Sequence, residues 1–236
     1  MATRSASAST ASRLQTSAPA PPRTEVERLV VRVQACEACP RVLYSHVLGA
    51  SNGPARARFM FVGEAPGRLG AGRSGVPFQG DESGRRFELL LATAGLQREA
   101  VFVTNALLCN PVDDAGRNRR PQSSEVERCL PFLRAQIEAV EPEIVVALGE
   151  VALAALGRIE AHGMRLRDHP GEAIAWRGQT LVALYHPGRR ALVHRPEQKQ
   201  QADWLALGSL CAQRSRIVTV EPIPFSGEAG VRQARK

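Results

Sequence analysis

Residues 59–84 read FMFVGEAPGRLGAGRSGVPFQGDESG, in which the apolar run Phe59-Met60-Phe61-Val62 enters a segment holding seven glycines and two prolines. A short continuous apolar run bounded by turn residues is the pattern of a strand buried on both faces. Glycine is the default where a chain takes positive φ or where something must approach the backbone closely, and it costs entropy on folding. A strand that opens into so much glycine therefore leads into either a tolerant surface loop or the wall of a site.

Working outward, RFMFVGE (58–64) predicts the first core strand, and the same kind of run recurs at VFVTN (101–105) and EIVVALG (143–149). AIAW (173–176) and TLVALYH (180–186) flank Arg177-Gly178-Gln179, which predicts a turn between two further strands. Helical spacing separates them. TEVERLVVRVQACEAC starts at Thr24 as N-cap, with Cys36 and Cys39 at the helix end. SGRRFELLLATAGL carries Gly95 near its C-terminus, SSEVERCLPFLRAQIEAVEP has a Ser cap and stops at Pro142, and EVALAALG is short. PEQKQQADWLALGSLCAQ closes the pattern as an amphipathic helix in which Cys211 reads as a core thiol. Strands alternating with helices predict a single α/β domain over 24–213 with a mostly parallel central sheet. Ligands bind such sheets beyond the carboxyl ends of the strands. Three polar features leave those ends: Gly63-Glu64, Asn105 and Tyr185-His186.

The flanks differ in composition. Residues 1–23 are rich in Ala, Ser, Thr and Pro with no acid, which predicts a disordered tail; 214–236 predicts a second. No apolar run approaches the roughly 20 residues that span a bilayer, so no membrane partner and a cytoplasmic location are expected, with the chain a monomer. Across the 236 residues, 31 Lys and Arg stand against 23 Asp and Glu, for a formal charge of +8. That surplus suits an anionic partner, nucleic acid first, although an arginine-rich composition alone produces it too.

Five cysteines in such a chain are poor evidence for disulfides. Cys36 and Cys39 form C-x-x-C, and Cys109 and Cys129 follow far downstream. Four thiolates suit tetrahedral zinc or an iron–sulfur cluster; a thioredoxin-like role is disfavoured because the motif does not open a helix after a strand.

GEAPG, SGVPFQGD, TNALLC and YHPG, in that order and with a cysteine pair on either side of the first three, resemble the iron–sulfur uracil-DNA glycosylases. The resemblance runs from about Cys36 to about Leu210. GEAPG is like family 4, whereas the Pro66-to-Phe78 spacing and the RSG…F…GD pattern are like family 5; Arg68 to Arg73 stands where family 4 has acids. The sequence reads as a related branch. The resemblance implies a three-layer α/β/α fold and a [4Fe–4S] cluster on Cys36, Cys39, Cys109 and Cys129, with zinc the lesser alternative. It implies uracil-containing DNA, single- or double-stranded, as partner.

Breaking an N-glycosidic bond needs a flipped base, a donor to the departing uracil, a stacking ring and an ordered water. The resemblance makes His186 the donor, Asn105 the reader of the uracil edge and Phe78 the stacking ring, with Gly63 and Ala65 in the pocket wall. Glu64 and Asp81 are the carboxylates placed to act on water; the alternatives are a backbone role alone for Glu64 and a loop brace for Asp81. In HPGRRALVHRPEQK, Leu192 or Arg190 is expected to enter the vacated stack, and Arg117, Arg119 and Arg120 form a second phosphate patch. No Lys stands in any motif to form a Schiff base, so strand cleavage is not expected. The alternatives are a damaged-DNA binding module without activity and a glycosylase for another base such as hypoxanthine.

Overall fold

A computed structural model describes residues 24–40 and 42–214, with side chains to residue 210. The tail assignments for 1–23 and 215–236 and the core reading of Cys211 lie outside the described residues. The elements in order are α1 (Glu25–Gln34), β1 (Val42–Leu43), β2 (Phe59–Gly63), α2 (Ala71–Ser74), α3 (Glu82–Thr93), β3 (Val101–Asn105), β4 (Asn110–Pro111), α4 (Ser123–Val140), β5 (Ile144–Leu148), α5 (Glu150–Ile159), β6 (Ala173–Trp176), β7 (Gln179–Leu184) and α6 (Glu197–Arg214).

The central sheet has the order β3-β2-β5-β7-β6. β2 pairs parallel with β3 and β5, β5 parallel with β7, and only β6 runs antiparallel, as the hairpin partner of β7. Alternate strand residues feed opposite cores. Met60, Val62, Phe102, Val145 and Ala147 pack under α1, α4 and α5. Phe59, Phe61, Val103, Val146 and Leu184 pack against α3 and α6 through Phe87, Leu91, Trp204 and Leu207. The result is the three-layer α/β/α arrangement, and β2, β3 and β5 are buried along their whole length.

Several local details depart from the sequence reading. α1 ends at Gln34, capped through a Thr24–Glu27 box, so Cys36 and Cys39 sit in the irregular segment beyond it rather than on the helix. Residue 122, a Gln, and not a Ser, precedes α4, and its backbone N–H donates to the Glu125 carboxylate at 2.8 Å. The ribbon of β1 with β4 leaves no signal in the sequence because strands of two residues carry no periodicity. The glycine segment also holds one helical turn, α2, closed by Gly75 at φ 71°.

β2 has β3 on one side and β5 on the other, so the chain leaves it in opposite directions. The crevice at the carboxyl ends of these strands is where open α/β sheets place ligands.

Candidate active site

A cleft of about 270 Å³ opens at that crevice, lined by Glu64, Ala65, Phe78, Asp81, Asn105, His186 and Arg190, with Pro66, Gly67, Asn110, Asn118 and Arg119 among the remaining walls. Every catalytic residue suggested by the sequence therefore lines one cavity. Gly63 lies directly behind it. A Cβ there would stand 2.5 Å from Asn105 Oδ1 and 3.1 Å from the Phe78 ring, so only glycine lets these two side chains converge.

Asn105 is 3% exposed at the last position of β3. Among the described residues no group hydrogen-bonds its carboxamide, which leaves a donor and an acceptor for a ligand edge. Phe78 stacks on Phe87 at 4.6 Å and lies 5.6 Å from the His186 ring. Its φ of 54° is left-handed, an unfavourable conformation for an aromatic residue, and Gly84 makes room for its carbonyl. The ring is held as the end of an aromatic column: Phe87 packs edge-on to Phe61 and Trp204, and these two stack at 5.5 Å.

His186 follows β7 and is enclosed by Phe78, Gly149 and Gly188. The Gly188 backbone N–H donates to Nδ1 at 2.9 Å, so in the neutral ring the proton is on Nε2. Burial pulls the imidazole down to about 4, against an opposing pull from the Asp81 carboxylate. At neutral pH the ring is therefore uncharged and offers one N–H. Burial also holds the Glu64 carboxyl above its ordinary range, opposed by Arg120.

The two oxygens of Asp81 differ. Oδ1 accepts from Gly84 N–H at 2.9 Å and caps α3. Oδ2 faces Gly67 and occupies the space a side chain at Gly70 would need.

The arginines sort into two kinds. Arg117 pairs with Asp113 at the surface, whereas Arg119 forks onto the buried Glu125 at 2.5 and 2.8 Å, so one of the three expected phosphate contacts is committed to a buried carboxylate. Arg120 and Arg190 are exposed at the cleft mouth and have no ion pair among the described residues. In the short helix at Arg189–Val193, Leu192 is half-buried, whereas Val193 is 85% exposed. Sequence alone could not separate these neighbours, because a single helical turn of mixed residues has no pattern.

Cys36, Cys39, Cys109 and Cys129 line a second cavity, together with Val33, Leu107, Leu108, Tyr44, His46, Arg128 and Phe132. Burial raises the thiols of Cys39 and Cys109 and pushes Cys129 up to about 12. The sulfurs are met by donors: Leu108 N–H reaches Cys129 Sγ at 3.4 Å, and backbone N–H groups of His46 and Ser45 act on Cys109. No three described His, Cys, Asp or Glu side chains converge tightly enough for a single metal ion.

An amide, a ring and a neutral imidazole donor thus surround a slot at the carboxyl edge of an α/β/α sheet, with free guanidinium groups at its mouth. This is a site for a flat polar ring carried on a polyanion. The profile of the Uracil DNA glycosylase superfamily matches residues 50–207. The chain is 32% identical over 198 residues to a type-4 uracil-DNA glycosylase of Archaeoglobus fulgidus, covering 80% of this chain and 94% of that one. It is 34% identical over 157 residues to the type-4 uracil-DNA glycosylase of Thermotoga maritima (66% and 78% covered). To a type-5 uracil-DNA glycosylase of Pyrobaculum aerophilum it is 34% identical over 148 residues (57% and 63%). The chain belongs to the uracil-DNA glycosylase superfamily. Among the described residues no helix is long and apolar enough to cross a membrane.

Proposed function

We propose that this protein is a monofunctional uracil-DNA glycosylase that hydrolyses the N-glycosidic bond of uracil in DNA and so opens base excision repair. The single observation that carries the reading is the His186 geometry: a backbone amide fixes Nδ1 as acceptor, and burial keeps the ring neutral with Nε2–H as donor. A neutral donor matched to a departing uracil anion stabilises charge where it develops, and preorganised stabilisation of that kind usually supplies most of an enzyme's rate enhancement.

In this reading the flipped base lies on Phe78 with its edge against Asn105, and Gly63 and Ala65 form the wall behind. As the bond lengthens, the electron pair moves onto uracil and His186 Nε2–H donates to its oxygen. The carboxylates of Glu64 and Asp81 face the positive charge that grows on the sugar. Arg120 and Arg190 contact phosphates, and Val193, rather than Leu192, fills the vacated stack.

The cysteine cavity fits a [4Fe–4S] cluster in its donor set: four thiols line one largely apolar space, with backbone N–H groups directed at two of the sulfurs. Thiols spread around a cavity suit a polynuclear cluster better than one zinc ion. Such a cluster would contribute folding free energy and tie α1, the segment after β3 and α4 together. Cys36, Cys39, Cys109 and Cys129 would hold it.

The test is base release from single- and double-stranded oligonucleotides carrying uracil, hypoxanthine or thymine, with His186→Ala as control and iron content and visible absorption measured on the same protein. Uracil released by the wild type and lost in the variant supports the reading. Tight binding of uracil-bearing DNA without release would favour the binding-module alternative. A colourless protein with stoichiometric zinc would overturn the cluster assignment.

A further inference from the structure

The segment from Gly67 to Gly75 contributes Gly67 and Ala71 to the cleft wall and carries an outward turn between them. The turn is closely held. Gly70 N–H and Gly72 N–H both donate to the Gly67 carbonyl, at 3.1 and 2.9 Å, and Asn118 Oδ1 accepts from Arg68 N–H at 3.0 Å. Asp81 Oδ2 fills the space inside the turn at Gly70, and Ala71 is buried. With the inside filled, Leu69 stands outward with 61% of its surface exposed. Arg68 and Arg73 flank it, both exposed and neither in an ion pair among the described residues.

Single exposed apolar residues are ordinary on a protein surface and need no explanation. Leu69 differs in its setting. It rides on a braced turn at the rim of the cleft, so no ordering of the loop is needed when something binds there. Its neighbours are cations without partners, whereas exposed arginines elsewhere, such as Arg28, Arg56, Arg85 and Arg165, are paired with carboxylates. An apolar tip between unpaired arginines is the composition that meets a distorted duplex: the cations take phosphates, and the tip lies against bases and sugars.

Resting on the glycosylase reading above, we infer that Leu69, with Arg68 and Arg73, forms a second DNA-contacting tip, separate from the one at Arg190 and Val193. Leu69 packs against the duplex beside the flipped nucleotide, and Arg68 and Arg73 hold neighbouring phosphates. The two tips belong to different loops, after β2 and after β7, and join the cleft at different walls, through Gly67 and through Arg190. A duplex is therefore gripped at two places while one base occupies the cleft. A single strand has no stacked neighbour pair to hold apart and depends on Leu69 less.

The contact can be read by fluorescence, without catalysis. The chain has two tryptophans, Trp176 and Trp204, and both are buried, so Leu69→Trp introduces a single exposed indole. Leu89→Trp, at a position 69% exposed and about two turns along α3 from Asp81, is the control. A duplex carrying a non-cleavable uracil analogue should quench Leu69→Trp, through contact of its indole with the bases, and leave Leu89→Trp unchanged. Arg68→Ala and Arg73→Ala should each lower the salt slope of duplex binding by about 1, and together by about 2. Leu69→Ser should leave that slope and the unfolding temperature unchanged. It should weaken duplex binding about 10-fold, the scale of one leucine side chain leaving water, and change single-strand binding less than about 2-fold. An unquenched Leu69→Trp, or wild-type salt slopes in both arginine variants, refutes the tip and leaves the glycosylase reading standing. A wild type whose variants show these binding signatures but which releases no uracil refutes the glycosylase reading and not the contact.

Discussion

Acidification should destabilise the folded protein through His186. The imidazole has an ordinary value of 6.5 and is held at about 4 in the fold. Between these values the unfolded chain binds a proton that the native state refuses. The stabilisation is therefore complete above the unfolded value and is lost as pH falls from 6.5 towards about 4. At about 1.36 kcal/mol per pKa unit, the difference of about 2.5 sets a ceiling of about 3.4 kcal/mol. At pH 4, where the folded ring is half-protonated, the loss is about 3 kcal/mol. Carboxylates titrate over the same range. Glu125, held down by Arg119, and Asp113, held down by the Arg117 backbone, lose stabilisation in acid, while Glu64 and Glu88, raised by burial, offset them. His186→Gln retains those groups, so the difference between the wild-type and variant stability curves isolates the imidazole. Urea unfolding from about pH 8 down to about pH 4 should show the wild type losing about 3 kcal/mol relative to the variant. A nuclear magnetic resonance titration of His186 in the folded protein gives the midpoint directly. A constant gap between the curves, or a midpoint near 6.5, would refute the neutral-donor argument.

Gly63→Ala drives a methyl group to 2.5 Å from Asn105 Oδ1 and should cut uracil release by about 100-fold or more, since misplacement of about 1 Å has that effect; a wild-type single-turnover rate would contradict it. Arg119→Ala and Arg120→Ala, adjacent in sequence, should part company. The first strands the buried Glu125 and should cost about 3–5 kcal/mol in chemical denaturation. The second should leave stability alone and reduce the salt slope of DNA binding by about 1; equal effects of the two would refute the sorting. Val193→Ala should weaken processing of duplex substrate while sparing single strands, and Leu192→Ala should chiefly lower the unfolding temperature. The reverse assignment would return the wedge to Leu192.

The fold was legible because its main strands are buried on both faces and so are written as unbroken apolar runs. Phe59–Val62, Val101–Val103 and Ile144–Leu148 all fell where expected. The cleft was legible because strand ends deliver their next residues to one edge; that rule brought Asn105 and His186 there, and their roles came from the family resemblance. The partitioning of function among close neighbours was not. Arg119 and Arg120 have the same chemistry, and only Glu125, buried in the first turn of α4 six residues later, separates them. Asp81 offered a cap reading and a catalytic reading because one side chain has two oxygens facing different ways. The β1–β4 ribbon and its Asn110 were silent because two-residue strands depend wholly on tertiary contacts.

In the proposed reading, the aromatic column that ends at Phe78 gives damage recognition an unusual physical basis. Trp204, Phe61, Phe87 and Phe78 run in contact from beneath α6 to the cleft. A base laid on Phe78 would be a fifth ring in that series, so the nucleic acid completes a packing arrangement the polypeptide begins. Selectivity for a lesion then draws on the same dispersion forces that hold α3 and α6 to the sheet. A substitution as remote as Trp204→Leu would then change how well a damaged base is held, and the interior of the protein would be part of its substrate-binding surface.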